Sequence, residues 1–345
     1  MTREELISVL EDSSPENAAA LYAKAYEVKK KTVGESVYLR GLVEISNICR
    51  KNCLYCGIRR DNREAGRYEL TDKEVLDAAE FAFKEGYGSL VIQGGERTDR
   101  MFIDRITAML VEIKRRWPLG ITLSLGEQSM DVYQEWFEAG AHRYLLRIES
   151  STKELYEKIH PADAVHSYET RVEALVSLRR CGYQVGTGVM IGLPFQTAAH
   201  LADDLLFFKR LDIDMCGMGP YLEHSQTPLY EYRGLIPDKM SRLELSLKMV
   251  ALLRLLMPDI NIAATTAMQA IVQDGRERAI MAGANVLMPN LTSADVREEY
   301  QIYQNKPGVG EDAAISSSRT EQRLKDMKIP IGYGRWGDSQ HFGKR

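Results

Sequence analysis

The sequence predicts an α/β protein built as a complete (β/α)8 TIM barrel, with a helical extension before it and a segment of helices and loops after it. Eight short runs rich in apolar and β-branched residues alternate with helical stretches from residue 36 onward, which is the pattern of βα units in a parallel sheet. The chain has 345 residues. Because such a barrel takes ~250 residues, this length leaves room for both extensions.

The predicted strands are 37–45, 88–93, 120–125, 143–148, 184–190, 213–218, 260–264 and 284–288. Helical signals fill the segments between them. Thr71 and Glu74 form a capping-box pattern ahead of an apolar stripe, and such boxes satisfy the free N–H groups at a helix start. A second apolar stripe runs from Ile106 to Trp117 and stops at Pro118. Both stripes are interpreted as faces that pack on the core.

Three domains or segments follow from this pattern. Residues 1–35 are predicted to form the N-terminal helical extension, 36–290 the barrel, and 291–345 a C-terminal segment that caps the barrel. Within the last segment we expect helices near 294–303 and 319–327. The Gly- and Ser-rich stretch 307–318 has the composition of a mobile loop or a linker.

Composition and charge narrow the function classes. Lys and Arg number 45 against 49 Asp and Glu, a net charge of −4, so no basic field favours nucleic acid. No apolar run approaches the ~20 residues of a membrane span. The N-terminus reads as a charged amphipathic helix rather than a signal peptide. We therefore expect a cytoplasmic protein without nucleic-acid or membrane partners.

The cysteines carry the strongest functional signal. Cys49, Cys53 and Cys56 form a C-x3-C-x2-C triad directly after the first predicted strand. Three thiolates can each hold one iron of a [4Fe–4S] cluster, and the loop beyond the triad offers no Cys, His or Glu as a fourth ligand up to Asn62. One iron would then stay open. The spacing, with Tyr55 before the last cysteine, resembles the signature of the radical S-adenosylmethionine (SAM) enzymes, in which SAM chelates the open iron.

Two other uses of the cysteines fit the sequence less well. Structural zinc needs four closed ligands, and all six histidines lie far from the triad in sequence. Five cysteines form an odd, sparse set in a long chain, which is unlike a disulfide framework. Cys181 and Cys216 are interpreted as small buried hydrophobic residues.

The residues that follow the other strands should face the same space, because active sites of such barrels lie at the C-terminal ends of the strands. Gly95 and Glu96 follow the second strand, and the glycine allows close backbone approach to a ligand. Arg147 and Glu149 end the fourth strand; the alternative is that they pair only with each other. Arg171, predicted to open a helix over 172–180, could grip a carboxylate, or be simply solvated. Further polar residues at strand ends are Ser124, Thr265 and Thr266.

Taken together, seven motifs resemble the HydE family of [FeFe]-hydrogenase maturases. This family is a complete-barrel branch of the radical SAM enzymes, close to biotin synthase and methylornithine synthase. The motifs are the cysteine triad with Tyr55, Gln93–Glu96, Leu123–Glu127, Tyr144–Arg147, Gly192–Pro194, Ala264–Met268 and Gly283–Asn290. The resemblance covers roughly residues 35–305.

The resemblance implies roles for individual residues. Cys49, Cys53 and Cys56 would bind the cluster. The residues that would hold SAM are Gly95, Glu96, Ser124, Glu149 and Arg171, and those that would line the substrate cavity are Arg40, Arg147, Thr265, Thr266 and Tyr300. One departure matters, because some HydE proteins carry a second cysteine triad near the C-terminus, and this chain has no Cys after Cys216.

The resemblance also implies a reaction and partners. A low-potential donor would reduce the cluster, SAM would be cleaved, and the 5′-deoxyadenosyl radical would attack a sulfur of a cysteine-bound iron carbonyl/cyanide precursor made by a partner maturase. Two alternatives stay open. One is a related mutase that rearranges an amino acid, of the methylornithine-synthase type. The other is an iron–sulfur electron-transfer protein without SAM chemistry.

Overall fold

The computed structural model describes residues 1–345. Its strands are β1 (Tyr38–Ser46), β2 (Ser89–Gly94), β3 (Gly120–Ser124), β4 (Arg143–Leu145), β5 (Gln184–Thr187), β6 (Met190–Ile191), β7 (Met215–Cys216), β8 (Gly219–Pro220), β9 (Asn261–Ile262) and β10 (Val286–Leu287). Its helices are α1 (Arg3–Glu11), α2 (Pro15–Thr32), α3 (Asp72–Lys84), α4 (Arg100–Arg116), α5 (Met130–Glu138), α6 (Lys153–Ile159), α7 (Tyr168–Arg180), α8 (Ala198–Leu211), α9 (Lys239–Leu256), α10 (Thr266–Ile271), α11 (Gly275–Met281), α12 (Ala294–Arg297) and α13 (Ala313–Asp326). Short 3-10 turns lie at Ala164–His166, Pro228–Leu235 and Phe342–Lys344.

Eight parallel strands form the barrel. Their order is β10, β1, β2, β3, β4, β5, β7 and β9. The two ends of this series meet, because Ala263 forms a parallel bridge with Val286 and the Ala264 N–H donates to the Val286 carbonyl at 2.9 Å. The predicted (β/α)8 barrel is confirmed, with each of its strands inside or overlapping a predicted run.

A second, two-stranded sheet of β6 and β8 extends the barrel wall. Each of the predicted strands 184–190 and 213–218 is interrupted at a glycine, so neither continues as a single strand. A Cβ on Gly188 would lie 2.0 Å from the Gly217 carbonyl oxygen, so the two backbones pass in close contact. This contact separates β5 from β6 and β7 from β8.

The helices cover the barrel with the faces that the sequence predicts. Ile106, Leu110 and Ile113 of α4 are fully buried. The capping box of α3 is present, with the Thr71 N–H donating to Glu74 Oε2 at 2.7 Å. Outside this layer, α1 packs against α8 and α2 against α9. No helix combines the length and the apolar character that crossing a bilayer requires.

The C-terminal region departs from prediction at two boundaries. Helix α12 ends at Arg297 rather than near 303, and α13 begins at Ala313 rather than near 319. The second difference has a local cause, because Asp312 caps the helix by accepting the Ile315 N–H at 2.8 Å. The serines that suggested a loop therefore lie in the first half of α13.

The last residues cross the N-terminal end of the barrel, opposite the cysteines. The Gly337 carbonyl accepts hydrogen bonds from Arg40 Nη2 at 2.9 Å and Asn261 Nδ2 at 2.8 Å. The Trp336 carbonyl accepts from Ser89 Oγ and Arg143 Nη1, both at 3.0 Å. Residues 336–338 thus form a floor beneath the strands. The division of the chain at residues 35 and 290 into separate units stays a prediction.

Candidate active site

A cavity of about 260 Å³ lies at the C-terminal ends of the barrel strands. It brings together eleven of the thirteen predicted site residues: Cys49, Cys53, Cys56, Gly95, Glu96, Ser124, Arg147, Glu149, Arg171, Thr265 and Tyr300. A larger groove of about 860 Å³ lies on the outside of the barrel between Tyr22 and Met327 and contains no cysteine. The chemistry therefore identifies the smaller cavity as the candidate site.

The turn after β2 holds the first cysteine. The Glu96 N–H donates to Cys49 Sγ at 3.3 Å, and the Arg50 N–H donates to the Glu96 carbonyl at 2.9 Å. Gly95 allows this approach, because a Cβ there would lie 2.3 Å from the Ile48 carbonyl oxygen. The predicted close approach at Gly95 is thus made to the cysteine loop itself.

Two other segments hold the rest of the loop. The Asn52 N–H donates to His166 Nε2 at 2.8 Å, and the Leu54 N–H donates to the Ile159 carbonyl at 3.1 Å. On the opposite side, the Gly57 N–H donates to the Ile302 carbonyl at 3.0 Å. The loop is therefore fixed between the end of α6 and the segment after α12.

The three thiols fit a cluster better than a single ion. Burial raises the pKa of Cys53 to about 12, with the Cys49 thiol adding to the effect. Burial likewise raises the pKa of Cys49 and of Cys56, so a bound metal would have to displace their protons. No group of three or more Cys, His, Asp or Glu converges on one point as a zinc ion requires. In a [4Fe–4S] cube each thiolate takes a different iron.

A buried network of charges lies beside the cysteines. Glu127 accepts from Lys51 Nζ at 2.7 Å and from Arg171 Nε. Burial opposes ionisation of Glu127, but Arg171 and Lys51 together lower its pKa. Glu96 accepts from Arg50 Nε at 2.9 Å and from the Glu127 N–H at 2.8 Å. The carboxylate of Glu96 is therefore already bound by protein groups.

Arg171 is a buried member of this network and is not solvated. Helix α7 begins at Tyr168, three residues before Arg171, because Ser167 caps it. Arg171 thus lies inside the first turn rather than opening the helix. Its Nη1 donates to the Arg147 carbonyl at 2.6 Å, so the guanidinium joins the ends of β3 and β4.

Arg147 and Glu149 show where a ligand could bind. Arg147 Nη2 lies 3.0 Å from Glu149 Oε2 and also donates to the Val189 carbonyl at 2.9 Å, so the two residues pair, but Arg147 does not pair with Glu149 alone. Glu149 Oε2 and Arg147 Nε are nevertheless buried without a hydrogen-bond partner of good geometry. Burial raises the pKa of Glu149, against the opposing effect of Arg147. Buried polar atoms in native proteins are nearly always satisfied, so these two point to a polar ligand in the cavity.

Two predicted residues lie elsewhere. Thr265 lines the cavity, but Thr266 begins α10 and lines a neighbouring cavity instead, because successive residues of a helix face different directions. Arg40 lies near the start of β1 and lines a space of about 20 Å³ deeper in the barrel. A role for Arg40 or Thr266 in substrate binding stays a prediction.

Sequence reasoning missed several residues of the site. Lys51 and Glu127 form its charge network, and Tyr221 lines the cavity with a buried hydroxyl that has no partner. Lys51 lies inside the cysteine motif and Glu127 ends the Leu123–Glu127 motif, so the sequence motifs contain both residues. Their pairing across 76 positions requires the three-dimensional fold.

Comparisons with known proteins agree with this site. The model of the radical SAM superfamily matches residues 43–208. The chain is 44% identical over 305 residues to the [FeFe] hydrogenase maturase subunit HydE of Thermotoga maritima, covering 88% of this chain and 84% of that protein. It is 26% identical over 296 residues to the 3-methylornithine synthase of Methanosarcina acetivorans, covering 85% of this chain and 80% of that protein.

Two solved structures share the fold. The methylornithine synthase structure superimposes with a TM-score of 0.81 at 24% identity, over 96% of this chain and 94% of that one. The maturase HydG from Carboxydothermus hydrogenoformans also gives a TM-score of 0.81, at 19% identity, over 99% of this chain and 78% of that one. With the cysteine triad in its cavity and the extent of the match to HydE, the chain belongs to the HydE family of radical SAM enzymes.

Proposed function

We propose that this chain is a HydE-type maturase, a radical SAM enzyme that takes part in assembling the diiron subcluster of [FeFe]-hydrogenase. The observation that carries the proposal is the cavity that the cysteine triad lines together with Arg147 and Glu149, each of which has a buried polar atom without a hydrogen bond of good geometry. As a member of its family the chain is a SAM-dependent enzyme with a [4Fe–4S] cluster. The identity of 44% to HydE supports the maturation role.

Cys49, Cys53 and Cys56 would hold the cluster. Gly95, Glu96, Ser124, Glu149 and Arg171 are the residues proposed to hold SAM. When bound, the cluster and SAM supply one-electron chemistry at the 5′ carbon of the adenosyl group. The other contributions to the reaction come from the side chains that line the cavity.

The side chains bind, orient and exclude water. Glu149 can accept hydrogen bonds from a ribose or an ammonium group, because its Oε2 pairs with Arg147 Nη2 at 3.0 Å without a hydrogen bond of good geometry. Ion pairs join Glu127 to Lys51 and to Arg171, and they fix the wall of the cavity that Lys51 and Arg171 line. Leu145, Met190 and other apolar residues complete the wall, which keeps water from a reactive carbon centre.

The substrate and partners are part of the proposal. We infer a cysteine-bound iron carbonyl/cyanide precursor, supplied by a partner maturase, as the small organometallic substrate, and a low-potential protein as the electron donor. Arg147, Thr265 and Tyr300 line the part of the cavity proposed for this substrate.

The test uses the protein after anaerobic reconstitution with iron and sulfide. We expect a reduced cluster whose electron paramagnetic resonance (EPR) spectrum shifts on adding SAM, together with formation of 5′-deoxyadenosine. The protein should then restore hydrogenase activity in a maturation mixture that lacks only HydE. A spectrum indifferent to SAM would contradict the enzyme class.

The same preparation separates the maturase from a related mutase. The similarity to 3-methylornithine synthase, at 26% identity, makes this the alternative to test. Incubation with SAM, reductant and candidate amino acids should give no rearranged product. Rearrangement of an amino acid without restoration of hydrogenase activity would replace the maturase proposal.

A further inference from the structure

A second cavity, of about 300 Å³, lies beside the active site and has a different character. Only two of its fifteen lining residues are hydrophobic. Four of them are cationic, Arg276, Lys306, Arg319 and Arg323, whereas Glu311 is the one acidic residue in the lining. We call this space the basic cavity. Helices α10, α11 and α13 and the loop before α13 enclose it.

Three of the four cations already have acidic partners. Lys306 donates to Glu44 and Arg319 to Glu311. Arg323 Nη1 lies 3.2 Å from Glu277 Oε1. These pairs neutralise part of the positive charge at the cavity wall, so the remaining excess depends on the fourth cation.

Arg276 is that fourth cation; Glu277 and Glu311 attract its charge from a distance, but no carboxylate pairs with it directly. Its Nε is buried and lacks a hydrogen-bond partner, and burial lowers the pKa of Arg276, an effect that Glu277 opposes and Arg323 increases. Arg276 is half-buried and a guanidinium keeps its charge in proteins, so a buried Nε without a partner carries a cost. An anion in the basic cavity would remove that cost.

A second buried cation lies behind the wall. Arg297 is 2% exposed and donates only to carbonyl oxygens, at 2.6 Å to Thr292, 3.0 Å to Asn290 and 3.2 Å to Gly308, and to Glu311. These bonds satisfy its donors, and Glu44, Asp312 and Glu311 attract its charge. The excess of positive charge at the cavity wall therefore depends on Arg276 rather than on Arg297.

We propose that the basic cavity binds a small oxyanion, the phosphate or carboxylate group of a small molecule, with Arg276 as its principal ligand. Guanidinium groups suit this chemistry because their paired N–H donors match two oxygens of such a group. A volume of about 300 Å³ is at the small end of ligand sites. Thr320 and other hydroxyl and amide groups of the lining supply further donors.

The basic cavity shares walls with the active site. Thr265 lines one cavity and Thr266 the other; Tyr303 lines the active site, and Lys306 the basic cavity. An anion bound to Arg276 would lie in the same cavity as Lys306 and Glu311 of the loop before α13.

The experiment measures anion binding to the reconstituted protein by calorimetry, in chloride buffer at constant ionic strength. Inorganic phosphate and citrate are titrated separately. We expect one saturable site per chain for at least one of them, and the responding probe shows whether phosphate or carboxylate chemistry is preferred. Arg276→Gln should weaken binding at least tenfold.

Two further variants make the result specific. Arg278→Gln changes another arginine of α11, one that pairs with Asp274 at 3.0 Å on the surface, and should bind like the wild type. Gln269→Glu places a negative charge on the cavity wall and should also weaken binding tenfold or more. All three variants should keep the SAM-dependent change in the EPR spectrum, which shows that they fold.

The proposal is overturned if neither probe saturates a site on the wild-type protein. It is also overturned if Arg276→Gln and Arg278→Gln bind the probe equally. Neither result bears on SAM cleavage, so the inference and the proposed enzymatic function stand or fall separately.

Discussion

Glu149 combines two unusual properties at the scale of the single residue. Its φ of 64° lies in the left-handed region, where a side chain other than Gly, Asn or Asp costs about 1 kcal/mol or more. Its Oε2 is buried without a good hydrogen bond. The strained backbone and the poor hydrogen-bond geometry of this carboxylate, which pairs with Arg147, are best explained if a ligand in the cavity uses Glu149.

Replacing Glu149 with Gln tests that explanation. The substitution keeps the shape and the backbone strain but removes the negative charge, so we expect SAM to bind at least tenfold more weakly. Equilibrium binding of SAM to the reconstituted protein measures the change. Glu157→Gln, on the exposed side of α6, is the control and should leave the Kd unchanged. Equal Kd values for both variants would exclude Glu149 as a SAM ligand.

The cysteines give a second prediction at this scale. Cys53→Ala should abolish the EPR signal of the reduced cluster and lower the iron content, because one iron of the cube loses its thiolate. Cys216→Ala is the matched control, since Cys216 is buried outside the cysteine loop. Iron analysis of both reconstituted proteins is the measurement. Equal iron in the two variants would exclude Cys53 as a ligand.

Asp204 gives a prediction about pH. It is fully buried, accepts from the Ser151 N–H at 2.7 Å, and has a second oxygen without a partner. Burial raises its pKa from 3.8 to about 7. The folded state therefore holds a proton that the unfolded state has lost between these values, and the free energy of unfolding falls as pH rises through this window.

Asp204→Asn removes this ionisation. The variant should be more stable than the wild type at pH 8, by on the order of 4 kcal/mol, and the difference should shrink toward pH 4. Denaturant unfolding at the two pH values is the measurement. Asp203→Asn, which loses an ion pair with Arg3, should show no such gain. A gain that is the same at both pH values would contradict a raised pKa.

At the scale of the element, the cysteine loop depends on a glycine contact. A Cβ on Gly57 would lie 2.1 Å from the Gln301 carbonyl oxygen and 2.6 Å from His224 Cδ2. These are backbone and ring atoms that cannot move aside without shifting the segment that follows α12. The loop that carries the ligands and the wall of the cavity are therefore packed as one unit.

Gly57→Ala should disturb both parts of that unit. We expect a loss of about 1–3 kcal/mol in the free energy of unfolding, as for overpacked cores, and less iron per chain after reconstitution. Gly234→Ala is the control, because nothing lies within 4 Å of a Cβ there. Thermal unfolding and iron analysis distinguish them. Wild-type values for Gly57→Ala would show that the contact relaxes freely.

The elements also show what the sequence could predict. The barrel was predictable because apolar runs and helical stripes repeat regularly along the chain. The start of α13 was not, because its serines favour a loop and the cap at Asp312 is a single local contact. The ion pair of Lys51 with Glu127 joins residues 76 positions apart. Arg40 lies deep inside the barrel because it is near the start of β1. Such placements depend on strand order and register.

At the scale of the whole molecule, the C-terminal floor compensates buried charge. Arg143 is fully buried, and its Nη1 lies 2.5 Å from Asp338 Oδ1. Burial lowers the pKa of Arg143, and Asp338 opposes that effect. Arg40 is buried nearby, and Arg143 lowers its pKa further. One carboxylate from the end of the chain thus serves two cations at the base of the barrel.

Asp338→Asn should therefore destabilise the whole protein. We expect a loss on the order of 2 kcal/mol, which is less than for a fully buried pair because the Asp338 side chain is 42% exposed. The measurement is the midpoint of urea unfolding at neutral pH. Asp77→Asn breaks an exposed pair with Lys73 and should cost less than about 1 kcal/mol. Equal losses would mean that the floor carries no special electrostatic role.

The same floor determines where substrates enter and products leave the enzyme. The carbonyls of Trp336 and Gly337 accept hydrogen bonds at the N-terminal ends of the strands. The barrel is therefore closed at that end and opens only at the end that holds the cysteines. The products of one catalytic cycle must leave through the same opening by which the next substrate enters. Clearance of methionine and 5′-deoxyadenosine then becomes a step in its own right, and these fragments should act as competitive inhibitors that slow each new round.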